Sequence, residues 1–314
     1  MVVEPEPATL GDADGSAMVL GEALVDLVLA GDGSITAGIG GAPFNAARAA
    51  ARLGAAVAFA GAVSTDAFGE QIMAALDHDR VDPGAVTRTD APTTLALAHV
   101  DESGAASYRF YTAATSVPRY VPVDTTGAML VTGGLALALD PLADRVVEAV
   151  AAARFVVCDI NCRPSVIDDW SSYLNRVMRV VSSSTVIKAS DDDLAVLWPE
   201  RPLEACLDDL LERGASVVII TRGDQPILAR STSAGVIEVP VRAVDVVDTI
   251  GAGDAFVGGL IARLGDGRNA AMHLGSADGL AALIGDAAEI AAAACTRRGA
   301  DPPYRHELSA RWAQ

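Results

Sequence analysis

Asp248 and Asp254 bracket a run of mostly small residues, Thr249-Ile250-Gly251-Ala252-Gly253. The run follows an extended apolar stretch from Val236 to Val247. It opens a segment with helical apolar spacing: Ala255, Phe256, Gly259, Leu260, Ala262 and Leu264. A glycine-rich turn entering a helix presents bare backbone N–H groups to an anion. Small residues let a phosphate approach that backbone closely. An aspartate in the first helical turn then lies beside the phosphate, placed to take a proton from an attacking hydroxyl. Turn, anion site and base together suggest phosphoryl transfer. The plainer reading is a strand-to-helix turn in which Asp254 caps the helix or charges its first turn. For a bare Gly-Ala-Gly-Asp the two readings weigh equally.

A second cluster is Gly40-Gly41-Ala42-Pro43-Phe44-Asn45. Paired glycines allow close backbone approach to a ligand, and Asn45 falls in the first turn of a helix. Upstream, Asp26 interrupts an apolar strand. A carboxylate and an amide beside bare backbone can hold a polyol by paired hydrogen bonds. Taken singly, Asn45 reads better as a helix cap and Asp26 as a surface residue of an edge strand.

The elements that must position these clusters follow from pattern. Met18–Leu29 reads as one strand interrupted by Glu22 and Asp26, followed by a turn at Gly31-Asp32-Gly33. Pro43–Leu53 is a helix with proline near its start and Gly54 at its end. A short strand at 57–62 and a helix at 66–76 come next, then a hairpin of 93–100 and 106–111 joined by Asp101-Glu102-Ser103-Gly104. From residue 128 strands at 128–132, 155–159, 186–189 and 217–221 alternate with helices at 141–152, 171–182, 191–197 and 203–213. That rhythm means a parallel sheet covered on both faces. A hairpin at 226–230 and 235–241 and helices at 251–264, 269–284 and 286–297 close the chain. The expected fold class is α/β, a doubly wound sheet. The segments near 24–37 and 93–116 fall outside its rhythm and form a small β-sheet lid over a cleft. One folding unit, residues 17–314, follows an acidic tail, residues 1–16, expected to be flexible.

The totals set bounds. The chain has 314 residues, 51% of them apolar and only 4% aromatic, with a net charge of −18. That charge argues against a nucleic-acid surface but not against a nucleotide site, which uses local donors. Four scattered cysteines, Cys158, Cys162, Cys206 and Cys295, suit reduced thiols in a cytoplasmic protein, and no second pair completes a zinc site. The N-terminus lacks the basic and apolar regions of a signal peptide. No apolar run reaches the roughly 18 residues of a membrane helix.

The full string Asp248-Thr249-Ile250-Gly251-Ala252-Gly253-Asp254 resembles the signature of the ribokinase-like carbohydrate kinases. Gly21-Glu22-Ala23-Leu24-Val25-Asp26, the Gly40–Asn45 cluster and Leu53-Gly54 are similar to the N-terminal signature of the same family, its fructokinase branch in particular. The resemblance continues at Tyr108–Tyr111, Asp159–Pro164, Lys188–Asp193, Thr221-Arg222-Gly223 and Cys295–Asp301, in family order from about residue 18 to 303. It implies a ribokinase-like fold and ATP-dependent phosphorylation of a sugar hydroxyl with magnesium. It places Asp254 on the catalytic base and Gly251, Ala252 and Gly253 on the anion hole. Asp26, Gly41, Asn45, Tyr111 and Arg163 fall on the substrate side. Lys188, Ser190, Thr221 and Gly223, with Gly251 and Gly253, fall on the nucleotide side. Asp248 lies where some members bind a monovalent cation such as potassium, and Asp193 where magnesium is governed, here only through water. The partners implied are a small sugar and ATP, with no nucleic acid or membrane; a homodimer is the expected assembly.

The chain departs from the family pattern in three ways. Ser190 and Asp193 stand for an Asn-x-x-Glu motif. Pro226 replaces a second glycine after Thr221-Arg222-Gly223 and can donate no N–H. Glu289 stands where an asparagine is frequent near the adenine pocket. The rival readings are a 2-keto-3-deoxygluconate kinase, with Arg109 and Arg163 for the carboxylate, a nucleoside kinase, and a sugar-binding regulator with a dead kinase site. A nicotinamide dehydrogenase fails because Gly38-Ile39-Gly40-Gly41 lacks the third glycine at the needed spacing.

Overall fold

The computed structural model describes residues 16–100, 106–265, 267 and 269–312. The expected tail, apart from Ser16, and the hairpin connection at 101–104 lie outside the described residues. In chain order the strands and helices are β1 (Ala17–Leu20), β2 (Leu24–Leu29), β3 (Ile35–Gly40), α1 (Ala42–Arg52), β4 (Val57–Ser64), α2 (Ala67–His78), β5 (Asp82–Thr89), β6 (Leu95–Val100), β7 (Ala106–Tyr111), β8 (Met129–Gly133), α3 (Leu142–Ala152), β9 (Phe155–Asp159), α4 (Trp170–Ser182), β10 (Val186–Ser190), α5 (Asp191–Leu197), α6 (Leu203–Glu212), β11 (Val217–Arg222), β12 (Gln225–Ser231), β13 (Val236–Val239), α7 (Ala252–Leu264), α8 (Ala270–Leu274) and α9 (Ala277–Cys295).

Among the described residues the strands form a nine-stranded sheet, β13-β12-β11-β10-β9-β8-β1-β4-β5, and a four-stranded sheet, β3-β2-β6-β7. Every pairing from β11 across to β5 is parallel, and β12 and β13 add an antiparallel hairpin at one edge. Parallel strands joined by crossover helices bury both faces, so Val and Ile dominate them. Alternate residues feed two cores: Val19, Phe59, Val131, Val157 and Ile219 on one side, Leu20, Leu130, Val156, Ile187 and Ile220 on the other. The expected doubly wound body and separate small sheet are both present. No helix among the described residues is long and apolar enough to cross a membrane.

Four boundaries differ from the sequence expectation. Met18–Leu29 is two strands in two sheets, because the chain turns out of the large sheet at Gly21-Glu22-Ala23. A Cβ on Gly21 would meet Pro43 Cγ at 2.4 Å, so α1 packs directly on that turn. β5 escaped the pattern because Pro83 and Gly84 sit in it; as an edge strand it tolerates both. The run Val236–Val247 is strand only to Val239, where Pro240 ends the ladder; Val246 and Val247 are 61% and 56% exposed. The last helices break at Gly275-Ser276, not at Gly285, because Ser276 caps α9 by accepting from the Gly279 N–H at 3.1 Å.

Helix α7 lies between α1 and α9. A Cβ on Gly258 would come within 2.4 Å of Ala49 Cβ, and one on Gly259 within 2.8 Å of Ala287 Cα. The adjacent glycines and the alanines facing them let three helices approach closely, which fixes the start of α7 against the start of α1.

Candidate active site

Helix α7 begins at Gly251 in the left-handed region, φ +77°. A side chain there would be strained, and its Cβ would come within 2.9 Å of Ala300 Cα. Ala252 N–H donates to Thr249 O at 3.2 Å, the Gly253 and Asp254 N–H groups that follow have no helical partner, and Asp254 stands in that turn. Asp248 braces the turn from below: Oδ1 accepts from Ile250 N–H at 3.0 Å and Oδ2 from Gly299 N–H at 2.8 Å.

Asp254 Oδ2 accepts from Asn45 Nδ2 at 2.9 Å. Asn45 stands in the first turn of α1 and is 5% exposed. Burial raises the Asp254 carboxyl above the usual aspartate range, against the pull of the Asn45 amide and the Lys188 and Arg163 charges. Asp26, from β2, lies in the same electrostatic neighbourhood. Burial and the Asp254 charge push it up to about 6, with Arg163 opposing. Glu22 is deeper still. Burial raises it to about 8 even though Oε1 accepts from Ala42 N–H at 3.2 Å, so it is largely protonated at neutral pH. The glycine pair makes room for these acids. A Cβ on Gly40 would meet Asp26 Oδ2 at 2.2 Å, and one on Gly41, φ +112°, would meet Glu22 O at 2.6 Å.

Beyond the turn opens a cleft of about 760 Å³. Lys188, Ser190, Thr221, Gly223, Ala252 and Gly253 line it, with Arg163 at its border with the acids. Val244, Val246, Phe256, Ala288 and Ala292 supply an apolar wall. Lys188 Nζ pairs with Asp159 Oδ2 at 3.0 Å and lies 3.2 Å from where a Gly253 Cβ would stand. An ammonium therefore sits directly behind the glycine turn. Burial works against its charge, but the Asp159, Asp193 and Asp254 carboxylates outweigh that and raise its pKa. Asp159, pushed to about 6 by burial against the pull of Lys188, is largely ionised at neutral pH.

Arg163, Lys188, Ala252 and Gly253 thus line this cleft, and Asp254 adjoins it, joined to Asn45 by a hydrogen bond and to Asp26 and Arg163 by charge. Other residues stand differently. Tyr111 is 48% exposed and, like Arg109, an odd number of residues from Tyr108, so both lie on the other face of β7. Tyr108 is the aromatic of the small sheet that feels the site: burial, and then the Asp26 charge, raises its phenol. Asp193 spends one oxygen on Ser190 N–H, 2.8 Å, and the other on Cys162 N–H, 2.7 Å. Its position closes a capping box with Ser190 and pins the loop carrying Arg163. Pro226 uses only its carbonyl, which accepts from Arg222 Nε at 2.7 Å. Glu289 turns away from the cleft and accepts from Ser309 N–H at 2.9 Å and its hydroxyl at 3.0 Å. No cluster of three His, Cys, Asp or Glu side chains arranged for a metal exists among the described residues. Sequence reasoning missed Glu22 and Asp159 as groups of the site. The visible signal was an acid inside an otherwise apolar strand or its edge.

The pfkB family of carbohydrate kinases matches residues 14–306. The chain belongs to that family. It is therefore a carbohydrate kinase, a phosphotransferase acting on a sugar hydroxyl. This pfkB kinase is 32% identical over 256 residues to a fructokinase of Rhizobium leguminosarum bv. trifolii, covering 78% of each chain. It superimposes with a TM-score of 0.82 on the fructokinase of Xylella fastidiosa with bound ATP, at 26% identity over 91% of this chain and 93% of the other. A fructokinase double mutant from Vibrio cholerae O395, in a form with fructose, ADP and potassium ion bound, gives a TM-score of 0.80 at 27% identity, over 93% and 95%. The fold is ribokinase-like.

Proposed function

We propose that this kinase transfers the γ-phosphoryl group of ATP to a hydroxyl of a neutral sugar, fructose first among them. The observation that carries the reading is the Asn45–Asp254 contact at the mouth of the glycine turn. Asp26 and Asn45 hold sugar hydroxyls, acceptor and donor within one acidic pocket. Asp254 takes the proton of the attacking hydroxyl. Its burial leaves it a stronger base than an exposed aspartate, while the Asn45 amide and the Lys188 charge favour its ionised form. The Gly253 and Asp254 N–H groups, with Lys188 behind them, take the charge that develops on the transferring phosphate. The triphosphate lies along the cleft past Ser190 and Gly223, with the base of the nucleotide against the apolar wall.

When bound with the nucleotide, magnesium would supply neutralisation of phosphate charge, its ligands coming chiefly from phosphate oxygens and water. Asp193 fits that role only through water, since both its oxygens already hold backbone N–H groups. A potassium ion would be held beside the loop braced by Asp248, through backbone carbonyl oxygens. The small sheet carries Asp26 and Tyr108 over the pocket and closes on the sugar, excluding water.

A carboxylate sugar is disfavoured by Asp26 and Asp254, and Arg109 lies on the far face of β7. A coupled ADP-release assay over a panel of sugars, acid sugars and nucleosides tests this. Fructose should give the highest kcat/KM. A clear preference for the acid sugar, lost on Arg163→Ala, would move the substrate while leaving the kinase.

A further inference from the structure

Helix α1 carries a polar stripe along an otherwise alanine-rich surface. Asn45, Arg48 and Arg52 are spaced three and four residues apart and share one face. At one end Asn45 donates to Asp254 at 2.9 Å. At the other, both arginines converge on a single carboxylate, the C-cap of α2. Arg48 Nε lies 2.6 Å from Asp79 Oδ2 and Arg52 Nε 2.9 Å from Oδ1. The Asp79 side chain has no exposure, and those of Arg48 and Arg52 have 10% and 6%. A carboxylate buried between two guanidiniums is tolerated only when the geometry is good, because each ion has lost its water. The roll and height of α1 are therefore fixed at Asp79.

Arg52 carries the connection further. Its NH1 group donates to Asp301 Oδ1 at 2.6 Å and to Pro302 O at 2.7 Å. The segment held in this way includes Ala300, against which Gly251 packs, and Gly299, which donates to Asp248. One buried acid thus braces both approaches to Asp254, the Asn45 side and the glycine-turn side.

We propose that Asp79 is a positioning residue for phosphoryl transfer, holding α1 so that the Asn45 amide stays on Asp254. It touches neither sugar nor nucleotide. The inference rests on the reading of Asp254 as base and Asn45 as its partner on the sugar side.

The test is a double-variant cycle read in kcat and in both KM values, on protein shown to be folded by circular dichroism. Asp79→Asn should lower kcat about tenfold and raise the sugar KM, with the ATP KM within about twofold of wild type. In an Asn45→Ala background the same change should cost less than about twofold, because no amide contact remains to be misplaced. Should Asp79→Asn fail to fold, Arg48→Lys loses the Nε contact while keeping the charge, and serves in the same cycle. Equal fold-losses in both backgrounds overturn the inference, as does a folded Asp79→Asn enzyme with wild-type kcat and sugar KM. A folded Asn45→Ala enzyme with wild-type kinetics also overturns it, by removing the site reading beneath it. The two failures are distinct, since only the second leaves Asn45→Ala fully active.

Discussion

Asn45 and Asp254 are 209 positions apart in the chain, yet the amide of one donates to the carboxylate of the other at 2.9 Å. The contact joins the first turns of α1 and α7, two helices whose closeness depends on Gly258. The amide stabilises the ionised form of Asp254, the form able to accept a proton.

Replacing Asn45 by alanine should therefore raise the Asp254 pKa and move the acid limb of the kcat/KM profile to higher pH. A hydrogen bond to a charged group contributes about 1.5–3 kcal/mol, so kcat/KM should fall roughly 10- to 150-fold near neutrality. A pH–rate profile unmoved by Asn45→Ala would contradict this.

Glu22 should make stability depend on pH. Its folded pKa, about 8, lies above its ordinary value of 4.5. The folded state holds a proton that the unfolded state has already released, so its contribution is full below about pH 4.5 and is lost as pH rises toward 8. Glu22→Gln keeps the size and the acceptor for Ala42 N–H without the titration. Relative to that variant, the wild type should lose on the order of a few kcal/mol between pH 5 and pH 8. Denaturant melts at the two pH values check it; parallel changes in both proteins would exclude the effect.

Gly258→Ala should be costly out of proportion to one methyl group. The added Cβ would come within 2.4 Å of Ala49 Cβ and 3.0 Å of Ala50 N. Overpacking of this kind typically costs about 1–3 kcal/mol. Because the displaced helix carries Asn45, turnover should fall along with the melting temperature. A stability loss with unchanged kcat would separate the packing from the site.

Much of this was legible in the chain. Val and Ile runs alternating with helical spacing announce a parallel sheet, and the helices expected after Ser190 and from Asp66 start where those side chains cap them; the Ser276 cap, and with it the break before α9, was not read. The glycine turn and Asp254 are legible for a local reason: backbone geometry, anion binding and the acid all lie within a few residues. What escaped is non-local. Asp77-His78-Asp79-Arg80 looks like a solvated helix end, and only folding brings Arg48 and Arg52, about 30 positions earlier, onto Asp79. Glu22 and Asp26 show as interruptions in one strand, but the turn that sends them to different depths comes from Pro43 packing on Gly21. Tyr111 and Tyr108 are equivalent in composition, and strand parity alone separates them.

The central claim is that Asp254 is the base of a phosphoryl transfer, and Asp254→Asn tests it most directly. The substitution is nearly isosteric and should leave the melting temperature and nucleotide binding close to wild type. Loss of a general base typically costs about 10²–10⁴-fold in rate. Sugar-dependent ADP release by the folded variant, measured at saturating sugar, ATP and magnesium, should fall within that range. Near-normal turnover by a folded Asp254→Asn enzyme would contradict the role assigned to Asp254.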